Sequence, residues 1–356
     1  MQLRAGFGRR SIRTAIRREG MITFAQFGAG RIGQIHAANI AAHPATQLAA
    51  VVDVDARAAK ALADRCNAKV ATTKSVLADK TIDAVLIASS TDTHADLVMA
   101  AAKAGKAIFC EKPIDLSLAK VDQCLAAVRK AKVPMLVGFN RRFDPDFAEV
   151  KRRIVEGAIG AVEQVVISSR DPGLPPLSYL TVSGGQFRDM TIHDFDMARW
   201  LLGAEPVEVF AYGSCLVDPN VAAAGDIDSA MVLLRTESGK LAHINNSRRA
   251  SYGYDQRIEV HGSEGRLMAG NRTASTVETA DGQAVKRDKP LHFFLERYAS
   301  AYRQELDAFV AALETGIAMP VGAEDGRMAL VLAEAALKST REGRSVKVAE
   351  ITGGKG

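Results

Sequence analysis

Phe24-Ala25-Gln26-Phe27-Gly28-Ala29-Gly30-Arg31-Ile32-Gly33 is the stretch that decides the fold of this chain. A short apolar run enters Gly-x-Gly-x-x-Gly, and a helix-like segment follows as far as Ala42. Gly28 permits the tight turn, Gly30 lets the backbone approach a pyrophosphate, and Gly33 lets helix and strand pack closely. The helix N–H groups and dipole then face the phosphates. Ala29, Arg31 and Ile32 complete the loop. Alone, this motif is a weak signal. A second apolar run, Leu48 to Val52, strengthens it by ending in Asp53, 20 residues beyond Gly33. A carboxylate there accepts a hydrogen bond from a ribose 2′-hydroxyl and repels a 2′-phosphate. Asp55 adds negative charge, so the pattern favours NAD over NADP; Arg57 is the one residue that argues otherwise.

From residue 22 to about 139, apolar runs alternate with helix-like segments. Strands are expected near 22–27, 48–53, 82–88, 107–110 and 135–138, with helices near 31–42, 56–66, 94–104 and 117–132. This alternation means a parallel, doubly wound sheet, the Rossmann form of an α/β fold. Beyond Phe143-Asp144-Pro145 and one further helix the pattern changes. Strand-like runs follow at 162–169, 206–212, 228–235, 240–247, 256–261 and 265–268, with hairpin signals at Glu237-Ser238-Gly239 and Ser263-Glu264-Gly265. Successive hairpins imply a large, mainly antiparallel open sheet. The expected organisation is therefore an NAD-binding domain at 21–140 and a substrate-binding and oligomerisation α+β domain at 141–356. Late helices are expected near 296–314 and 323–341, with residues 349–356 frayed and Asp171 to Gly185 a loop.

Composition fits a soluble enzyme. A chain of 356 residues holds about two domains, each large enough for its own core. Hydrophobic content of 47% excludes disorder, and no apolar run approaches the ~20 residues of a membrane span. Cys66, Cys110, Cys124 and Cys215 are scattered without Cys-x-x-Cys spacing, as expected of reduced thiols in the cytoplasm. The net charge of +5 resides in residues 1–20, which carry six arginines and one acid. The remaining body is neutral and offers no electrostatic footprint for nucleic acid. The head has three readings: an extension that is disordered or not made, since Met21 precedes the first strand; an Arg-rich organellar presequence; or an export signal reading Arg9-Arg10. The last needs an apolar segment that Ser11 to Gly20 does not supply. The first reading is adopted, and the head is left out of the fold.

Cofactor and substrate are expected at the strand ends of the first domain. Ala88-Ser89-Ser90-Thr91-Asp92-Thr93-His94 offers small hydroxyl residues and His94 to the second half of a dinucleotide. The plainer reading makes Thr93 an N-cap and His94 a surface residue. In Phe109-Cys110-Glu111-Lys112-Pro113, the proline stiffens the strand end that presents Lys112. An ammonium beside a nicotinamide could hydrogen-bond a substrate hydroxyl; the alternative is a surface pair with Glu111. In Asp189-Met190-Thr191-Ile192-His193-Asp194, a carboxylate and an imidazole four residues apart share one face if the segment is helical. The apolar positions Phe195, Met197, Ala198, Trp200, Leu201 and Leu202 keep helical spacing and stop at Gly203. Asp189, His193, Asp194 and Asp196 could instead hold a divalent ion, but no further ligand stands at suitable spacing and alcohol oxidation needs none. No metal is expected.

Gly-Ala-Gly-Arg-Ile-Gly, Glu111-Lys112-Pro113 and Asp189-x-x-x-His193 together resemble the Gfo/Idh/MocA oxidoreductases over essentially all of 21–345. Finer text, including Gly138-Phe139-Asn140-Arg141-Arg142-Phe143-Asp144-Pro145 and Tyr252-Gly253-Tyr254-Asp255, resembles the inositol dehydrogenase branch of that family. The resemblance implies NAD-dependent oxidation of a ring hydroxyl of a cyclic polyol, myo-inositol foremost, with other inositols, aldoses or deoxysugars as alternatives. It gives Lys112 a place by nicotinamide and substrate, and makes Asp189 and His193 a dyad with His193 as the base and Asp189 orienting its ring. Arg141, Asp171, Tyr252 and Tyr254 would line the polyol pocket, and the assembly would be a homotetramer. NAD-assisted glycoside cleavage and a non-catalytic NAD sensor are the other classes; joint retention of Lys112, Asp189 and His193 argues against a sensor.

Overall fold

The structure, a computed structural model, describes residues 20–353. The readings of the Arg-rich head, Gly20 apart, lie outside the described residues, as does any fraying of 354–356. Strand β1 (Ile22–Phe27) is buried along its whole length, as a central parallel strand with both faces covered must be. It pairs with β2 (Thr46–Val52) on one side and β4 (Ala84–Ile87) on the other. With β3 (Lys69–Val70), β5 (Ala107–Cys110) and β6 (Met135–Val137), these form a six-stranded sheet in the order β3-β2-β1-β4-β5-β6. Sequence reading did not anticipate β3 or the short helix Thr73–Ala78: a two-residue edge strand has no periodicity to detect.

A second sheet has the order β12-β11-β7-β10-β9-β8-β15. Its strands are β7 (Val162–Arg170), β8 (Pro206–Ser214), β9 (Ser229–Thr236), β10 (Leu241–Ser247), β11 (Asp255–Gly262), β12 (Gly265–Ala269) and β15 (Val346–Lys347). A separate hairpin, β13 (Glu278–Ala280) with β14 (Val285–Arg287), stands apart. All neighbours in the large sheet are antiparallel except β7 and β10, which run parallel. Alternate residues of β9 are buried, so Val232 and Leu234 point inward while Met231 and Leu233 stay on the outer face. Residues 349–352 are helical rather than frayed. Glu350 explains this, since it accepts from Lys338 at 2.8 Å, Arg344 at 2.7 Å and the Lys347 backbone at 2.9 Å.

Two late helices join the layers. Ala323–Glu342 packs on β8 and on the helix Thr191–Leu202, inside the second sheet. Ala299–Thr315 instead crosses back to the first sheet, where Phe309 meets Phe24 and Phe109 at ring-centroid distances of 5.9 and 5.6 Å. The seam between the sheets is held by buried ion pairs. Arg297 clasps Asp144, and Arg142 reaches Asp196 at 2.5 Å and Asp325 at 2.9 Å.

Candidate active site

The glycine loop is fixed from below before anything binds above it. Buried Gln26 donates from Nε2 to the carbonyls of Gly28 at 2.8 Å and Gly33 at 2.7 Å. Gly28 has φ +102°, and a Cβ there would lie 2.3 Å from the Ala88 carbonyl; at Gly33 it would lie 2.3 Å from the Gly28 carbonyl. Above the loop there is room. A Cβ on Gly30 would meet nothing within 4 Å, and the first turn of Arg31–Ala42 has no side-chain cap. Uncapped N–H groups facing open space suit a pyrophosphate. Asp53 accepts from the Ala29 backbone at 2.6 Å and from the Asp55 backbone at 2.8 Å, which aims its carboxylate at the loop. These residues fit the dinucleotide the sequence implies.

A cavity of about 1180 Å³ runs from this loop into the seam, more than one small ligand needs. Arg31, Ile32, Ser89, Ser90, Thr91, His94, Glu111 and Lys112 line its first-domain side. Ser90 is the N-cap of the helix Thr91–Lys103. His94 is not a surface residue: it is buried, with Nδ1 2.9 Å from the Pro113 carbonyl and Nε2 3.0 Å from the Ser89 carbonyl. The ring thus ties the serine loop to the strand end that carries Lys112, acting from behind the pocket wall.

The second domain supplies Asp171, Asp189, His193 and Tyr254, and the turn after β6 supplies Arg141. Arg141 donates to buried Asp194 at 2.5 Å and to Ser169 at 3.2 Å. Asp194 also accepts from Asn246 at 2.9 Å, and Asp196 is held by Arg142, so neither carboxylate stands free to act as a metal ligand. The four residues of the metal reading therefore do not form one donor set.

Asp189 and His193 do not share one helix. Asp189 ends the short helix Gln186–Asp189, the chain breaks at Met190, and His193 lies in the first turn of Thr191–Leu202. Nor does Asp189 orient the imidazole, because His193 Nδ1 is buried without a hydrogen-bond partner. Asp189 is engaged elsewhere. Tyr179 donates to it at 2.9 Å and Arg248 at 3.3 Å, while Lys112 Nζ donates to its backbone carbonyl at 2.9 Å and stands 3.7 Å from Oδ1. Burial, then the Lys112 and Arg141 cations, holds His193 well below the ordinary imidazole range, so the ring is neutral at pH 7. Burial pushes the Asp171 carboxyl up to about 6, against the pull of Arg248.

Tyr252 requires a correction. It does not line the cavity; its hydroxyl donates to Asp255 at 2.6 Å and accepts from Arg170 at 3.0 Å. Tyr254, beyond Gly253 at φ +128°, is buried at the cavity with Tyr298 and Tyr302. Sequence reasoning missed Arg248 and Tyr179. Arg248 had a usable signal, since Asp171 and Arg248 each follow the last residue of a strand. Those strands, β7 and β10, are paired in register, Arg170 beside Ser247. Tyr179 gave none.

Substituting Gly28→Ala tests the loop. The methyl group has no room and φ is unfavourable, so NADH affinity measured by fluorescence titration should fall by about tenfold or more. Undiminished binding would show that the close approach is not required.

Comparison with known proteins agrees with this geometry. Residues 22–139 match the Gfo/Idh/MocA oxidoreductase family's NAD-binding Rossmann fold, and residues 151–348 match that family's C-terminal alpha/beta domain. The chain is 51% identical to inositol 2-dehydrogenase of Rhizobium meliloti, covering 92% of this chain and 99% of that protein. It is 48% identical to myo-inositol 2-dehydrogenase of Thermotoga maritima, covering 92% and 98%. The scyllo-inositol dehydrogenase of Lactobacillus casei, solved with NAD(H) and scyllo-inositol bound, superposes with a TM-score of 0.86 at 28% identity, covering 92% and 99%. The chain therefore belongs to the Gfo/Idh/MocA oxidoreductase family.

Proposed function

We propose that this protein is an NAD-dependent dehydrogenase that oxidises a secondary ring hydroxyl of a cyclic polyol, myo-inositol to 2-keto-myo-inositol. The observation that carries the reading is one cavity. It joins the glycine loop to Lys112, Asp171, Asp189 and His193, so that many polar groups face a substrate made of hydroxyls. Bound NAD supplies the acceptor for the carbinol hydride. His193, neutral and lining the cavity, takes the hydroxyl proton. The Lys112 ammonium donates to the same oxygen and stabilises charge developing on it. Asp189 holds Lys112 in place, being the common acceptor of Lys112, Tyr179 and Arg248. Asp171 and Arg141 bind other hydroxyls of the ring. Tyr254, buried in the cavity wall, packs against the substrate.

The outer face of the large sheet adds a second element. Val166, Phe210, Leu233 and Leu241 line an apolar groove there, and Leu233 is 55% exposed. Such a face is normally covered. We propose that a second copy covers it and that paired dimers make a homotetramer. Free thiols at Cys66, Cys110, Cys124 and Cys215, and no membrane-long apolar helix among the described residues, fit a cytoplasmic enzyme. Sedimentation should show a tetramer that Leu233→Glu dissociates; a monomeric parent protein refutes the assembly.

The direct test is absorbance at 340 nm with NAD, NADP and a panel of inositols and aldoses. Myo-inositol with NAD should turn over, and Lys112→Ala or His193→Ala should lower kcat by about 10²-fold or more while NADH binding persists. Silence across the panel refutes the polyol reading, and full activity in either variant removes the role given to that residue.

The pH profile follows from Asp171. Above about pH 6 its carboxylate accepts from substrate hydroxyls; as pH falls through that value it protonates and the acceptor is lost. The kcat/KM profile should therefore fall on the acid side near pH 6, and Asp171→Asn should abolish that limb at a lower plateau. A limb unchanged in the variant assigns the titration to another group.

A further inference from the structure

Beside Lys112 lies a group of buried titratable side chains that the reaction described above does not use. His36 from the dinucleotide helix, Glu111 at the end of β5 and Glu305 from the returning helix Ala299–Thr315 bring one nitrogen and two carboxyl oxygens within 4.8 Å of one another. His36 Nε2 lies 2.7 Å from Glu111 Oε1 and 3.9 Å from Glu305 Oε1. Glu305 is 0% exposed, and neither of its oxygens has a hydrogen-bond partner; His36 Nδ1 has none either. Tyr302, one turn earlier on the same helix, packs edge-on against His36 at 5.5 Å. Among the described residues no lysine or arginine pairs with Glu305.

Two carboxylates facing one imidazole in a dry core leave unbalanced negative charge unless one of them carries a proton. We propose that Glu305 is a neutral carboxylic acid beside the His36–Glu111 pair, and that the His36–Glu111–Glu305 cluster is a positioning device for Lys112. Burial and the facing Glu111 both push the Glu305 carboxyl well above its ordinary value of 4.5. Glu111 is the mechanical link. Its Oε2 accepts from the Lys112 backbone N–H at 3.3 Å. Its carboxyl also fills the space over Gly138, where a Cβ would lie only 3.0 Å away. His36 at Oε1, with an uncharged Glu305 beside it in place of a second repelling anion, fixes the direction of that carboxyl, and with it the strand end that aims Lys112 into the cavity. Glu305 reaches the chemistry only through Glu111 and Lys112, so its loss should be felt in turnover rather than in dinucleotide capture.

The positioning role rests on the assignment of Lys112 given above; the proton does not, and thermal unfolding of the full-length enzyme tests it separately. A carboxyl whose folded pKa is raised must take up a proton on folding at any pH above 4.5, a cost that grows with pH until the folded pKa is reached. Glu305→Gln carries no such cost. The parent Tm should therefore fall relative to that of E305Q between about pH 5 and pH 8, with E305Q at least as stable at the upper end. An E305Q enzyme whose deficit in Tm widens as pH rises overturns the neutral acid, because the native group would then be an anion. A parent Tm lowered by EDTA and restored by zinc also overturns it, placing a metal cation where the proton is assigned. In steady-state kinetics, Glu305→Ala should lower kcat about tenfold with KM for NAD unchanged, and E305Q should recover to within about threefold. Parent-level kcat in E305A overturns the positioning role.

Discussion

The ion pair between Arg141 and Asp194, closed between the two sheets, sets the terms for everything around it. Charge removed from water must be neutralised on the spot, because a buried ion left alone costs several kcal/mol. Arg297 with Asp144 and Arg142 with Asp196 obey the same constraint along the seam. Each pair ties the turn and helix start directly after β6, the last strand of the first sheet, to a later helix that packs under the second sheet or beside it. The sheets are thereby locked in one relative position, and the cavity between them keeps a fixed width. Ordinary apolar packing would hold the layers together with less directional preference.

Within that frame, acids and bases are separated by their partners. Asp189, Asp194 and Asp196 lie within eight residues of one another, yet each is committed to different cations. His193, in their midst, has lysine and arginine as its nearest charges and is kept neutral. An imidazole flanked by carboxylates in sequence thus feels chiefly the cations Lys112 and Arg141 in space. Tyr179, Arg248 and Lys112 produce this result by engaging Asp189, which makes no hydrogen bond to the imidazole ring.

The helix break at Met190 marks the limit of what the sequence could reveal. The places of the glycine loop, Asp53 and Lys112 in the fold were legible because they depend on local geometry: a turn, a strand end, a fixed spacing. Both sheets were legible from alternation, including the hairpins at Gly239 and Gly265, except for their two-residue edge strands β3 and β15. The Asp189–His193 spacing was legible too, but its geometry was misread. One continuous helix is the simplest account of an i,i+4 pair, and only contacts from Tyr179 and Arg248 reveal the other arrangement. Gln26, which secures the glycine loop, looked like one polar residue in an apolar strand. Tyr252 and Tyr254 could not be separated without knowing which face of the chain met the cavity. In each case the missing information was a long-range contact.

The returning helix has a consequence for how the molecule is made. All six strands of the first sheet are encoded by residue 137, whereas Phe309, which covers Phe24 and Phe109, follows more than a hundred residues later. During synthesis this aromatic face must therefore wait for its final neighbour while strands β7 to β12 are translated, a span in which exposed apolar surface invites misassembly. The first sheet precedes the second along the chain, yet its packing is completed only by a helix made after six strands of the second.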